Sequence, residues 1–241
     1  FTGIESVWGF PGDDVRFQFA TADAPVTILP NTDATDAGDV ATSTSQVAGT
    51  EKIVLPIALD YQDSPLSCEA AALKMALAGV GVRVSERQIM KVVGYDPTPR
   101  RRGVWGDPNR AFVGNIAGRQ NTTGYGVHWD PIARAARTWS NARVAKNITP
   151  TQLATEIAAG HPVVIWGTMG AAYQDHWKTR SKKLIAAWKG EHARTVIGFS
   201  GTTSSPVSFV INDPIAGRQT WSTRHLTMNL ASFQNHAVVI E

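Results

Sequence analysis

The segment Tyr61-Gln62-Asp63-Ser64-Pro65-Leu66-Ser67-Cys68-Glu69-Ala70-Ala71-Ala72-Leu73 constrains this chain more than any other. It sets the one cysteine of 241 residues at the head of an alanine-rich run that reads as a helix. Backbone N–H dipoles at a helix start favour a thiolate and lower the thiol pKa. A side-chain amide held beside the sulfur, as Gln62 would be, can donate to the oxyanion of an acyl-transfer reaction. The alternative is a plain buried cysteine acting as a small hydrophobe. With one cysteine there is no internal disulfide, so a packed core must supply the stability.

A cysteine nucleophile needs a base, and the base needs an orienting partner; both usually come from distant parts of the chain. Glu191-His192-Ala193-Arg194-Thr195-Val196-Ile197-Gly198-Phe199 starts with a histidine and continues as an apolar, β-branched strand. Phe209-Val210-Ile211-Asn212-Asp213-Pro214 is a second short strand, and adjacent pairing would bring Asp213 against the His192 imidazole. His236 also begins a strand, His236-Ala237-Val238-Val239-Ile240, but nothing after it except Glu241 could orient the ring. His192 is therefore the expected base.

The order Gln62, Cys68, His192, Asp213 resembles the papain-like cysteine peptidases. Within them it is similar to the bacterial branch related to bacteriocin-processing (double-glycine) peptidases. The Tyr-Gln segment, Ser-Cys opening an Ala-rich helix, the His-Ala strand and the Asn-Asp-Pro strand end carry the likeness. Trp105-Gly106-Asp107-Pro108 and Gly124-Tyr125-Gly126-Val127 add to it, and it covers about residues 53–241. The resemblance implies an α+β papain-like fold, Cys68 as nucleophile, His192 as base, Asp213 as orienter and Gln62 as oxyanion donor. It also implies a peptide or protein substrate, no cofactor, and a secreted or cell-surface setting in bacteria, with cell-wall association one possibility. Two positions depart from the pattern: Glu69 stands where Gly-Pro usually follows the nucleophile, and Glu191 where glycine usually precedes the histidine. A carboxylate beside the sulfur opposes thiolate formation. A cell-wall amidase or acyl transferase with the same triad, and a non-catalytic binding domain that kept the residues, are the alternatives.

Charge divides the chain. Residues 1–51 hold eight acids and one base, a charge of −7, while the remainder carries +10. A basic body suits anionic surroundings such as cell-wall polymers or acidic peptides, or is simply a solvated face. Arg100-Arg101-Arg102 and the cluster of Lys178, Arg180, Lys182, Lys183 and Lys189 come without a nucleic-acid-binding signature, so no nucleic-acid partner is expected. The six histidines show no metal-ligand spacing, and no metal is expected. No run of eighteen apolar residues occurs, so no membrane-spanning helix is expected.

Residues 1–30 alternate apolar and polar at Val15-Arg16-Phe17-Gln18-Phe19 and read as a strand-like extension. Residues 31–51 read as an acidic Ser/Thr/Asp/Gly linker, and residues 52–241 as the catalytic domain. The opposite charges predict that the extension docks on that domain. Within it, helices are expected at about Cys68–Leu77, from the capping box Ser85-Glu86-Arg87-Gln88 to Gly94, from Asp130-Pro131 to Arg137, from Thr149-Pro150 to Gly160, and near Ser222–Ser232. Pro162-Val163-Val164-Ile165-Trp166 reads as a buried strand. Residues 97–123 read as a long loop anchored by Trp105, Phe112 and Val113 and walling the cleft. Trp105 and Trp166 are the candidate substrate contacts, with core packing the alternative for each.

Overall fold

In the first helix Ala70, Ala71, Ala72, Leu73, Met75, Ala76 and Leu77 are all buried, as expected for a helix apolar around most of its circumference. Such a helix has to lie at the centre of a core. A computed structural model describes residues 52–241 and builds the domain around it. The extension, the linker and their predicted docking lie outside the described residues.

In chain order the elements are β1 (Lys52–Val54), α1 (Cys68–Gly79), α2 (Glu86–Val93), β2 (Tyr95–Asp96), β3 (Phe112–Val113), α3 (Trp129–Ala136) and β4 (Ala142–Ala145). Then follow α4 (Pro150–Ala158), β5 (Val163–Lys178), β6 (Leu184–Gly201), β7 (Pro206–Asp213), β8 (Gly217–Ser222), α5 (Thr223–Ala231) and β9 (Ala237–Ile240). Seven strands form one antiparallel sheet in the order β4-β9-β5-β6-β7-β8, with β1 paired to β6. Helices dominate the first half and strands the second, which is the α+β papain-like arrangement expected.

Strand alternation divides the core. Val164 and Trp166 of β5, with Val238 and Ile240 of β9, face the cluster containing α1, α2 and α3. Val163 and Ile165, with Ala237 and Val239, face the opposite cluster with α4 and α5. Period-two side-chain direction thus puts one helical layer on each face of the sheet.

Local signals set most helix ends. Ser85 and Thr149 each accept from the N3 backbone N–H and receive the N3 glutamine in return, completing both expected capping boxes. The third helix differs from expectation. It begins at Trp129, with His128 as the extended cap residue, so Asp130 and Pro131 fall in the first turn rather than at its boundary. The His128 N–H is bonded to the Pro108 carbonyl at 2.9 Å, which fixes the chain before the helix. Pro131 is tolerated there because first-turn N–H groups have no intrahelical partner.

Strands β5 and β6 form a hairpin far longer than the apolar run at residues 162–166 suggested, with a register shift between Thr168 and Tyr173. The loop at residues 97–123 is stitched to it. Trp105 N–H donates to the Lys178 carbonyl at 2.9 Å, Lys178 N–H donates to Gly103 at 2.8 Å, and Arg100 grips Asp175 through two 2.7 Å bonds. Among the described residues no helix is long and apolar enough to cross a membrane.

Candidate active site

Cys68 is the first residue of α1 and is 5% exposed. The Thr195 hydroxyl donates to the Ala72 carbonyl at 2.8 Å, locking the first turns of this helix against β6. The same strand carries Glu191, His192, Ala193 and Arg194. Its pairing with β7 sets Thr195 opposite Asn212, so Asp213 lies beside Arg194 and within reach of His192.

His192 Nε2 and Asp213 Oδ1 are 2.9 Å apart, both residues fully buried. An ionised carboxylate accepts, so the ring carries its proton on Nε2 and Nδ1 remains the basic nitrogen. Burial lowers the His192 pKa and Asp213 opposes that shift, while the Arg194 charge adds to it. Asp213 is itself well held. Burial would raise its pKa, but His192, the Arg194 charge and the Ala216 N–H bring it well below the usual carboxylate range. Arg194 Nε donates to Asp213 Oδ2 at 2.7 Å, and the Ile215 and Ala216 N–H groups donate to Oδ1 at 2.8 and 2.9 Å.

Gln62 lines the same small cavity as Cys68 and His192. Its backbone N–H donates to the Pro214 carbonyl at 3.1 Å, which ties its loop to the residue after Asp213. Its side-chain N–H groups are directed at the carbonyls of Ser64 and Pro65 at 2.8 and 2.9 Å, and Oε1 is buried without a partner. Gln62, Cys68, His192 and Asp213 are therefore brought together, with the Gln62 amide engaged in its own loop.

The thiol environment differs from what the helix start suggested. Burial, then the nearby Glu69 and Glu191, push the Cys68 pKa up, and the Ala193 N–H opposes them. The thiol donates to Glu69 Oε2 at 3.4 Å. Glu69 Oε1 accepts from the Val127 N–H. Burial raises the Glu69 pKa to about 7. Burial and the proximity of Glu69 push the Glu191 pKa well above its usual range. Among the described residues neither Glu191 carboxylate oxygen has a hydrogen-bond partner. The desolvation of the thiol and two like charges outweigh the favourable helix end.

Trp105 and Trp166, the expected substrate contacts, are both fully buried. Trp166 Nε1 donates to the Val127 carbonyl at 3.0 Å, so it braces the backbone that binds Glu69. Trp105 packs against Tyr125 and Trp177 with ring centroids 6.4 and 5.1 Å apart. The cavity wall is instead made by Gln120, Tyr125, Met169 and Ile215, together with Leu66 and Glu191. Gln120 comes from the long loop expected to wall the cleft, and its amide donates to the Glu191 carbonyl. Arg194 was not singled out from sequence, although it follows His192 by two residues on a strand and so shares its face.

A buried Cys-His-Asp assembly between a helix start and an antiparallel sheet defines a papain-like cysteine-peptidase architecture. The chain belongs to the Peptidase_C39 like family, whose model matches residues 54–237. It is 28% identical over 173 residues to the uncharacterized protein YvpB of Bacillus subtilis (strain 168), covering 68% of this chain and 67% of that one. The fold matches the crystal structure of a Bacillus anthracis protein provisionally assigned as a C39-like peptidase, with a TM-score of 0.68 and 23% identity, over 79% of this chain and 98% of that one. A double glycine motif protease from an AMS/PCAT transporter, solved with its leader peptide, matches with a TM-score of 0.45 and 15% identity, over 78% of this chain and 93% of that one.

Proposed function

We propose that the chain is a cysteine peptidase that cleaves peptide bonds through a thioester on Cys68. The observation carrying this reading is the 2.9 Å His192–Asp213 bond held at the cavity that Cys68 lines. Nδ1 of His192 takes the thiol proton, and the sulfur adds to the scissile carbonyl. The departing amine receives that proton from the imidazolium, and water then hydrolyses the thioester by the reverse path. The Cys68 N–H, at the unpaired start of α1, and the Gln62 amide are the oxyanion donors. In this role the Gln62 amide swings from the Ser64 and Pro65 carbonyls onto the oxyanion as substrate enters.

The basic charge of residues 52–241 favours work among anionic polymers, and we place the enzyme outside the bacterial cell or at its surface. One observation favours a second reading, a domain kept for binding alone: two buried carboxyl groups stand beside the sulfur. A mixed peptide library incubated with the full chain separates the two readings. With chelator present, cleavage that disappears in Cys68→Ala supports the peptidase, and intact peptides at every pH from 5 to 8 refute it.

A further inference from the structure

The fold brings Glu191 beside the neighbouring pair Cys68 and Glu69. Cys68 Sγ, a Glu69 carboxylate oxygen and a Glu191 carboxylate oxygen all lie within 4.8 Å of one another. Sulfur and Glu69 Oε2 are already at 3.4 Å. Ligand atoms around a tetrahedral zinc ion, with bonds of about 2.0–2.3 Å, stand roughly that far apart. Glu191 adds an independent sign. It is 2% exposed and lines the cavity at the sulfur, yet among the described residues neither of its carboxylate oxygens has a hydrogen-bond partner. A buried carboxyl with no donor is costly unless something positive or protonated meets it.

We propose that Cys68, Glu69 and Glu191 form a binding site for one thiophilic divalent cation of the zinc class. One thiolate and two carboxylates supply three negative charges, so a dication offsets most of the buried charge. The soft sulfur selects zinc, cobalt or cadmium over magnesium or calcium. Three protein ligands leave a fourth position open toward the cavity lined by Gln62, Gln120 and His192. On binding, the thiol proton and any proton held by the two carboxyl groups leave to solvent, and the sulfur lone pair is taken up by the metal. If Cys68 is the peptidase nucleophile, the loaded form is inactive and metal availability gates turnover. That consequence rests on the proposed function; the binding does not.

The test is titration of chelator-treated full chain with Co2+, read by absorbance, followed by displacement with Zn2+. One equivalent should give a thiolate-to-cobalt charge-transfer band together with intense visible bands of tetrahedral cobalt, and Zn2+ should abolish both. Cys68→Ser should remove the charge-transfer band. Glu191→Gln should weaken binding by at least about tenfold. Glu69→Gln, which keeps an acceptor for the Val127 N–H, should do the same and serves if the first variant folds poorly. The site is refuted if no saturable band appears near one equivalent, if the band survives Cys68→Ser, or if both glutamine variants bind like the parent. A protein that binds cobalt this way yet cleaves no peptide after chelator treatment would refute the peptidase reading and leave the site standing.

Discussion

Glu69 and Glu191 meet across the backbone of Gly126: a β-carbon on residue 126 would lie 2.5 Å from Glu69 Oε1 and 2.5 Å from Glu191 Oε2. The two carboxyl groups next to Cys68 and His192 therefore form one unit. Glu69 raises the Glu191 pKa, and both act on the thiol. They delay ionisation of Cys68, whereas the helix start and the Ala193 N–H promote it.

Thiol reactivity reports this opposition directly. In metal-free buffer with chelator, Cys68 should alkylate slowly with iodoacetamide at pH 6, because burial and two carboxyl groups raise its pKa. Glu191→Gln and Glu69→Gln each remove a like charge while keeping the side-chain volume. Each should speed alkylation at pH 7 severalfold and move the rate profile to lower pH. Equal rates in all three proteins would show that the carboxyl groups do not act on the sulfur.

The same pair should leave a signature in stability. Both carboxyl groups have folded-state pKa values above their unfolded ones: near 4.5 unfolded and about 7 folded for Glu69, and raised well above 4.5 for Glu191. Their contribution is fully present below pH 4.5 and is lost as pH rises through 7 and beyond, since the unfolded chain then binds fewer protons than the native one. The thermal midpoint of chelator-treated protein should fall more between pH 5 and pH 8 than that of Glu191→Gln. A parallel pH dependence in the two proteins would show that Glu191 does not carry the pH-dependent loss of stability.

That Cys68, His192 and Asp213 would meet was legible in sequence because each sits in a strong local context: an alanine-rich helix start, a β-branched strand and a strand ending in Asn-Asp-Pro. The helix caps at Ser85 and Thr149 were legible because a capping box is complete within four residues. The extended half of the β5–β6 hairpin was not. Met169 through His176 are mostly exposed and lack two-fold alternation, so their strand geometry comes from pairing rather than propensity. The Glu69–Glu191 contact was hidden for a related reason. Each carboxyl could be seen to neighbour Cys68 or His192, but their meeting depends on α1 packing on β6 through contacts such as Thr195 to Ala72. Trp105 and Trp166 could not be placed, because an aromatic ring suits a core and a cleft wall equally well.

Gly126 is irreplaceable on this geometry. Its φ of +148° is a conformation that side chains disfavour, and any β-carbon would press on both carboxylates. Gly126→Ala should destabilise the domain by about 1–3 kcal/mol in denaturant unfolding. A change below about 0.5 kcal/mol, the range of ordinary surface substitutions, would show that the two carboxyl groups move apart freely.

Arg194 and Asp213 should respond asymmetrically to substitution. Asp213 keeps His192 and the N–H groups of Ile215 and Ala216 when Arg194 is lost. Arg194, without Asp213, keeps a 3.4 Å contact to the Thr168 carbonyl and the face of Trp221 at 4.8 Å, and its Nη1 has no partner. Asp213→Asn should therefore cost about 3–5 kcal/mol, as for a buried charge stripped of its counter-ion, and Arg194→Met distinctly less. Catalysis should separate them differently. Asp213→Asn loses the group that fixes the imidazole tautomer, and turnover of a peptide substrate should fall by about a thousandfold or more. Arg194→Met removes a positive charge that lowers the His192 pKa. The base then stays protonated to higher pH, so the acid limb of the kcat/KM profile should move upward while activity at pH 8 is largely kept. An acid limb that stays in place would mean that Arg194 supports Asp213 mechanically and does not tune the base.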